Sequence, residues 1–486
     1  MKLSKLNEKL NLEYIMGSGD PEITAVVNDS RKVVEGCLFI CIKGANFDGH
    51  DYAKEMAEKG AAVIVAEHSL PELEGMDVIV LKAEDTRYAM AFISAAWFGN
   101  PAEKLKTIGI TGTKGKTTTT YLVKSILEHA GIKTGLVGTI ETIIGDEHIP
   151  SKNTTPESYM LQETFAKMVD EGIEAVVMEV SSQALMMHRT QGFIFDIGIF
   201  TNLSADHIGP NEHESFEEYL RCKGLLFRQC RKGIINGDDA HAQAVIEGHT
   251  CDIETYGMKE GSDLRAVDLV LDKEPGQLGV SFSTVGTAEL AVKLSTPGRF
   301  SVYNALCAIA ICNHFGVAAD DIISALPKAQ VKGRIEKVKV SDDFTLLIDY
   351  AHNAMALESI LTTLREYEPG RLICLFGCGG NRSKTRRFEM GEVSGRLADF
   401  TIITSDNPRF EEPLDIIADI VTGISRTDGK YIEIPDRKEA IRYAIQNGKK
   451  GDIIVLAGKG HEDYQEIKGV KYPMDERVLI SEIMQE

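Results

Sequence analysis

No stretch of this sequence approaches the ~20 consecutive apolar residues needed to span a bilayer, so no transmembrane helix is expected. The first ten residues, Met1-Lys-Leu-Ser-Lys-Leu-Asn-Glu-Lys-Leu10, are too polar to read as a signal peptide. Cysteine offers no framework either. The nine residues, at 37, 41, 222, 230, 251, 307, 312, 374 and 378, are scattered, odd in number and without a CxxC pair. That points to free or buried thiols in a reducing cytoplasm. Internal repeats and low-complexity tracts are absent. Positive charge is in deficit: 53 Lys and Arg against 73 Asp and Glu leave a net charge of −20. Such a surface disfavours non-specific binding to nucleic acid or anionic membranes, and neither is expected as a partner. Anionic small ligands stay open, because a local cluster of Lys, Arg and backbone N–H groups can hold them against the global field.

What is present is ordinary for a globular protein: 43% hydrophobic and 26% charged residues. A chain of 486 residues suggests about three domains, each large enough for its own core. Up to residue 98, short apolar runs (Cys37–Ile42, Ala61–Val65, Asp77–Leu81) alternate with helical patterns and predict a small α/β domain. Asn100-Pro101 is a natural linker. A second block opens with the strand Lys106–Ile110, then a glycine loop and a helix from Lys116. Strands follow at Ala175–Met178 and Asp196–Phe200, and residues 250–295 alternate as an antiparallel edge would. From Val331 onward, four apolar strands each run into a polar or glycine-rich loop. The loops are Asp349-Tyr-Ala-His-Asn353, Gly377-Cys-Gly-Gly-Asn-Arg382, Ser405-Asp-Asn-Pro-Arg409 and Ala457-Gly-Lys-Gly-His-Glu462. Continuous apolar strands between helices mean a covered parallel sheet. Ligands bind such sheets at the carboxyl ends of the strands, so these loops predict a second ligand site.

The motif with the clearest chemistry is Thr111-Gly-Thr-Lys-Gly-Lys-Thr117. Between a strand and a helix, its backbone N–H groups and the helix N-terminus suit phosphate oxygens. Gly112, Thr113, Lys114, Gly115, Lys116, Thr117 and Thr118 therefore form a candidate triphosphate site, with Lys116 reaching the terminal phosphates and the Thr117 hydroxyl reaching magnesium. The loop is short: two residues, Thr113 and Lys114, stand where the standard spacing has about four. Glu179, in Glu179-Val-Ser-Ser182, and His207, in Thr201-Asn-Leu-Ser-Ala-Asp-His207, end neighbouring strands and are candidates to hold magnesium near the γ-phosphate. For either residue alone, a surface or satisfied side chain would be the default. Lys223 in Glu217–Gly224 reads by itself as a helix lysine.

Taken in order, the shortened loop, Glu179-Val-Ser-Ser182, Asp206-His207, Asp349-Tyr-Ala-His352 and Asp406-Asn-Pro-Arg409 resemble the Mur ligases over nearly the whole chain. Asp29-Ser-Arg31 with Gly36-Cys-Leu-Phe39 is similar to that family's N-terminal UDP-binding segment. The resemblance implies three α/β domains: 1–98 binding a UDP-sugar, 99–330 a central P-loop-type ATPase with a mainly parallel sheet, and 331–486 a Rossmann-like amino-acid domain. It implies an ATP- and Mg²⁺-dependent amide ligase, cytoplasmic and monomeric, of the kind that adds the third stem-peptide residue in peptidoglycan assembly. The acceptor would be UDP-MurNAc-L-Ala-D-Glu, activated as an acyl phosphate, with the protein supplying position and charge stabilisation through magnesium and Lys116. By position, Lys116, Glu179, His207 and Lys223 would be catalytic. Thr117, Glu179, His207 and Lys223, the last as a carbamate, would hold metal. Asn304, Arg334 and Asp349 would touch ATP. Ser30 would meet the uridine end, and Asn153, Thr154, Thr155, Ser181 and Arg189 the muramoyl dipeptide. Arg382, Asp406, Asn407, Pro408, Arg409, Gly458 and Glu462 would form the amino-acid site. Because the ATP contacts come from two blocks, domain closure is expected.

The resemblance favours meso-diaminopimelate. That amino acid has a second carboxylate, for which the planar fork of Arg409 suits bidentate binding, and Glu462 can accept from its ammonium. L-lysine, another diamino acid, or a related folylpolyglutamate- or cyanophycin-type ligase are the alternatives. A catalytically silent nucleotide-binding regulator is opposed by the intact Lys116, Thr117, Glu179, His207 and Lys223. Departures from the family pattern are Asn353-Ala-Met355, Asn381 and Ser383 flanking Arg382, and Met187 ahead of the His-Arg pair. All of them remove polar groups near substrates, not at the phosphates.

Overall fold

The computed structural model describes residues 1–486 except 45–46, 206–207, 210–211 and 274–277. The chain divides into two compact units, Met1–Ser262 and Asp263–Glu486.

The first unit opens with a five-stranded sheet ordered Glu13–Met16, Ile79–Lys82, Val63–Ala66, Leu38–Ile40, Val26–Val27. Only the Glu13–Met16 pairing is antiparallel. The helix Thr86–Trp97 covers it, capped by Asp85, whose side chain accepts from Tyr88 N at 2.9 Å. The rest of the unit is built on a longer sheet. Its parallel strands run, in spatial order, Asp252–Gly257, Cys230–Asn236, Phe195–Phe200, Lys106–Thr111, Ala175–Glu179 and Thr134–Val137. The antiparallel hairpin Glu141–Ile144 and Glu147–Pro150 extends it. Ala175–Glu179 is buried along its whole length, which explains its unbroken Ala-Val-Val-Met run. The hairpin, the strand Thr134–Val137 and the strand Cys230–Asn236 were not legible as elements in the sequence.

Residues 250–295, expected as an antiparallel edge, are only partly so: Asp252–Gly257 pairs parallel with Cys230–Asn236 in the first unit, and in the second unit Leu264–Asp272, Gly279–Gly286 and Ala291–Leu294 are antiparallel. The apolar helix Arg299–His314 follows. The Tyr367 hydroxyl ties this part to the C-terminal sheet, donating to Gly279 O at 2.8 Å and accepting from Gly298 N at 2.9 Å. The C-terminal sheet has six strands, ordered Glu336–Val338, Thr345–Asp349, Ile453–Ala457, Leu372–Phe376, Phe400–Ile403, Tyr431–Glu433. All pairs are parallel except the first. Phe376 lies level with both Ala457 and Ile403, so the polar loops that follow these strands leave one edge together.

A buried ion pair locks that edge to the helices behind it. Arg437, at the start of helix Arg437–Gln446, donates from Nε to Glu476 Oε1 at 2.8 Å. Its other nitrogens donate to Ser405 O and Ala457 O, both at 3.1 Å, which are backbone groups of two strand-end loops. Removing one partner strands the other charge away from water. Arg437→Met is therefore expected to cost about 3–5 kcal/mol in urea unfolding. A loss below about 1 kcal/mol, the range of an exposed pair, would show that the pair is not structural.

Candidate active site

Three parallel strands of the first unit end side by side, with Glu179 level with Ile110 and Phe200 level with Thr111. The phosphate loop emerges at this edge. Gly112 takes φ 147° and Gly115 φ 88°. A Cβ on Gly112 would lie 1.9 Å from Thr201 Oγ1, so only glycine fits. Asn202 braces the loop from the next strand end. Its carbonyl accepts from Thr113 N at 2.8 Å, its Oδ1 accepts from Lys114 N at 2.9 Å, and its Nδ2 donates to Lys114 O at 2.9 Å. Thr201 Oγ1 donates to that same carbonyl at 2.7 Å. External bracing explains how so short a loop holds its shape.

Two ammonium groups meet on the loop's first carbonyl. Lys116 Nζ donates to Gly112 O at 2.8 Å and to Thr113 O at 3.1 Å. Lys223, only 1% exposed, donates to Gly112 O at 2.9 Å and lies 4.3 Å from the Tyr219 ring centroid. The lysine that looked like one more helix residue is thus brought to the phosphate loop. A patch of positive charge forms there on an otherwise acidic chain.

Glu179 is the organising carboxylate. It is 1% exposed, and Thr117 Oγ1 lies 3.0 and 3.1 Å from its two oxygens. Thr139 donates to it twice, from N at 2.7 Å and from Oγ1 at 3.0 Å. Thr139 Oγ1 is also 3.1 Å from Thr154 Oγ1. The Glu179 carbonyl accepts from Thr155 Oγ1 at 2.9 Å, and that oxygen accepts from Ser181 N at 3.0 Å. Arg189 Nη1 donates to Thr155 O at 3.2 Å, and its Nη2 pairs with Glu157 at 2.8 Å. Ser181 Oγ caps the helix Ser182–Met186, accepting from Ala184 N at 3.1 Å. Thr117, Glu179, Thr154, Thr155, Ser181 and Arg189 therefore form one connected network, beside which Asn153 is exposed. Thr118 lies half-buried in the first turn of helix Lys116–His129. Ser30 begins a short 3-10 turn in the N-terminal sheet domain, capped by Asp29 accepting from Arg31 N at 3.0 Å. Asp206 and His207 lie outside the described residues. Buried His213 lies a few residues on, with Nε2 2.8 Å from Ser182 Oγ.

The second unit carries the remaining candidates. Asn304 is buried in helix Arg299–His314. Asp349 accepts from Ile335 N and Ala351 N, both at 2.9 Å, and the Arg334 guanidinium lies 4.8 Å from the Tyr350 ring centroid. Burial against Tyr350, beside the Arg334 cation, pushes His461 down to about 4, so it is neutral near pH 7. Asp406 and Asn407 are buried, and Pro408 leads into Arg409, which takes a left-handed φ of 53°. Asn407 is heavily engaged within the protein. Its Nδ2 donates to Glu462 Oε2 at 2.9 Å, and its Oδ1 accepts from Lys459 Nζ and Glu466 N, both at 2.9 Å. Arg409 Nε pairs with Glu466 at 3.1 Å, and Nη1 donates to Gly380 O at 2.7 Å. Two of the three guanidinium nitrogens of Arg409, Nε and Nη1, are therefore engaged within the protein. Gly458 has φ 110°, and a Cβ there would sit 3.0 Å from Asp406 Oδ2. Arg382 is exposed on the neighbouring loop.

Two of the departures from the family pattern, Asn353 and Asn381, have structural work here. Asn353 caps the helix Ala354–Arg365, accepting from Ala356 N at 2.8 Å. Met355 is exposed and Ser383 precedes helix Lys384–Leu397 without a side-chain cap. Asn381 takes φ 53° and accepts from Phe410 N at 3.1 Å, tying the loop of Arg382 to that of Arg409. Met187 Sδ lies 3.6 Å from Arg189 Nη2. Thr139, Asn202, Tyr350, Lys459 and Glu466 went unmarked in the sequence. Thr139 follows a glycine, and Lys459 sits in a loop already noted. Glu466 lies in the hairpin Tyr464–Ile467 and Val470–Pro473, which gave no signal.

A buried carboxylate and a glycine loop joined at one edge of a parallel sheet are the arrangement of a P-loop-type nucleotide-binding fold, and this chain belongs to the Mur ligase family. Three family models match it: the family's catalytic domain over residues 22–98, its middle domain over 110–312 and its glutamate ligase domain over 333–460. The chain is 46% identical over 474 residues to the UDP-N-acetylmuramoyl-L-alanyl-D-glutamate–2,6-diaminopimelate ligase of Caldanaerobacter subterraneus subsp. tengcongensis, covering 97% of each. It is 45% identical over 489 residues to ligase 1 of the same name from Clostridium acetobutylicum, covering 100% of each. A solved structure of a ligase with this name aligns at a TM-score of 0.74 and 29% identity, over 100% of this chain and 99% of that one. Among the described residues no helix is long and apolar enough to cross a membrane.

The geometry of the loop gives a direct test. Gly112→Ala forces both a clash and a strained backbone, so ATP-dependent turnover should fall by at least about 100-fold while the far-ultraviolet circular dichroism spectrum is retained. Turnover within about threefold of wild type would remove Gly112 from the site.

Proposed function

We propose that this protein is the ATP-dependent ligase that joins meso-diaminopimelate to the D-glutamate carboxylate of UDP-MurNAc-L-Ala-D-Glu in peptidoglycan synthesis. One observation carries the reading. The single carboxylate of Glu179 accepts from Thr117 of the phosphate loop, while its backbone oxygen holds the Thr155–Ser181 pair assigned to the dipeptide. Transferring phosphate and acceptor carboxylate are thus served by one residue, through its side chain and its backbone carbonyl respectively. A free carboxylate is a poor electrophile. Transfer of the γ-phosphate converts it to an acyl phosphate, the amine of the incoming amino acid attacks, and phosphate leaves.

Among the described residues, the buried Glu179 carboxylate and the Thr117 hydroxyl offer the oxygen donors that magnesium prefers. Thr117, Glu179, His207 and a carbamylated Lys223 would hold it, and magnesium would supply charge neutralisation at the phosphates. Lys116, aimed at the loop, binds the same oxygens. The relatives' names and the Asp406–Arg409 loop support diaminopimelate over lysine. The family matches, over residues 22–98, 110–312 and 333–460, support domain limits near residues 98 and 330; the reading gives these domains UDP-sugar, ATP and amino acid in that order. The reading places the enzyme in the cytoplasm as a monomer.

ADP release from ATP and UDP-MurNAc-L-Ala-D-Glu, with meso-diaminopimelate, L-lysine or L-ornithine, tests it. Turnover is expected with diaminopimelate. None with any of the three sinks the ligase reading, and turnover with lysine alone sinks only the amino acid. Arg409→Ala should raise the KM for diaminopimelate by about 10- to 100-fold with the KM for ATP unchanged, since one charge-assisted contact is lost. Equal rises in both would refute its role.

A further inference from the structure

Lys459 is 0% exposed, which is rare for a lysine and costly unless every donor is matched. Its three ammonium hydrogens meet three oxygens: Asn407 Oδ1 at 2.9 Å, Glu462 Oε2 at 2.8 Å and Tyr464 O at 2.6 Å. Asp406 Oδ1 stands further off at 3.9 Å. Two of the three partners are side chains assigned above to the amino-acid site, and Asn407 and Glu462 also bond each other at 2.9 Å. The result is a closed triangle of Lys459, Asn407 and Glu462. Within it Glu462 Oε2 is used up by two donors. Oε1, 3.4 Å from the Tyr350 hydroxyl, is the oxygen left for an incoming ammonium.

We propose that Lys459 is a positioning residue for amino-acid recognition, fixing Asn407 and presenting the Oε1 oxygen of an ionised Glu462 to an ammonium group of the incoming diamino acid. This rests on the amino-acid site assigned above. A buried glutamate alone among apolar walls would drift toward its neutral form, which cannot attract an ammonium. Burial does act on Glu462 in that direction, but the Lys459 charge and the bonds from Lys459 and Asn407 outweigh it and hold the carboxyl below its ordinary value. The other charged or titratable groups facing it are His461, Tyr350, Asp406 through Lys459, and Arg334 across the Tyr350 ring. The same ammonium cannot touch the substrate itself, because all three of its donors point into protein oxygens.

A double-mutant cycle decides the matter. Wild type, Lys459→Met, Glu462→Gln and the double variant are compared by steady-state kinetics with diaminopimelate and ATP varied in turn, and by thermal melting. Lys459→Met leaves a buried carboxylate unpaired and is expected to lower the melting temperature. The double variant removes that charge and should recover stability, so the comparison survives a poorly folded single variant. The KM for diaminopimelate should rise by about 10- to 100-fold in Lys459→Met, with the KM for ATP within about twofold. The double variant should be no worse than Glu462→Gln alone, because Lys459 acts through Glu462. In Lys459→Met the KM for diaminopimelate should also climb as pH falls from 8 to about 6, while wild type stays flat. An unchanged KM for diaminopimelate, parallel rises in both KM values, or additive losses in the double variant would overturn the proposal. Failure of the wild type itself to join diaminopimelate would refute the underlying reading and this inference with it.

Discussion

A carboxylate buried at the end of a parallel strand must find donors, because an unpaired charge there would cost more than the fold can carry. Glu179 is that carboxylate, and the arrangement of the first unit's strand ends follows from satisfying it. Thr117 comes from the phosphate loop, and Thr139 from the turn after the neighbouring strand. Thr155 and Ser181 are drawn in through the backbone of Glu179. Each of these residues lies on a different segment, and none contacts the others by sequence proximity alone. A parallel sheet makes the convergence possible, since every crossover returns its strand end to the same edge. On the proposed reading, the residues that protect this charge are also the ones that would share it with magnesium.

The second unit solves the same problem with opposite charges in alternation. Lys459 sits against Glu462, Arg409 against Glu466, and Arg387 against Glu411 and Asp419. Arg387 is itself buried, and its bonds hold Glu411 near 2, well below the usual carboxylate range. Glu411 in turn accepts from Asn381 N, so the loops of Arg382 and Arg409 are fastened to one another. On the proposed reading, this surface would suit a zwitterionic amino acid, because its cations and anions stand a few ångströms apart and already oriented. Pre-paired groups lose little entropy on binding, which is the physical basis of a preorganised site. The chain's overall charge of −20 is no obstacle, because the interactions that matter are local and partly buried.

Much of the scaffold was legible from apolar runs. Strands at Lys106–Thr111, Ala175–Glu179, Phe195–Phe200, Thr345–Asp349, Leu372–Phe376, Phe400–Ile403 and Ile453–Ala457 stand where continuous hydrophobic stretches placed them. Short or half-exposed elements were not. The hairpin Glu141–Pro150 alternates too weakly, and the Tyr464–Pro473 hairpin that carries Glu466 is half-buried on one strand and exposed on the other, with no apolar run. Asn353 and Asn381 looked like lost substrate contacts. They prove to be a helix cap and a left-handed loop link, roles that depend on backbone geometry and not on residue type alone.

The sequence by itself determined the chemistry that local spacing can encode. A strand, a short glycine loop and a helix make a phosphate cradle wherever they fold, because the donors are backbone groups of consecutive residues. It likewise determined that the second sheet would present its loops at one edge. Tertiary structure alone decided which side chains share those edges. Lys223 comes to the phosphate loop's first carbonyl from a helix more than a hundred residues on, and Asn202 clamps that loop from the next strand. Lys459, placed in a noted loop without a role, is buried against the side chains of Asn407 and Glu462. Burial and long-range pairing are properties of the packed chain. They convert an ordinary lysine or glutamate into a group whose charge is fixed, oriented and available for one task.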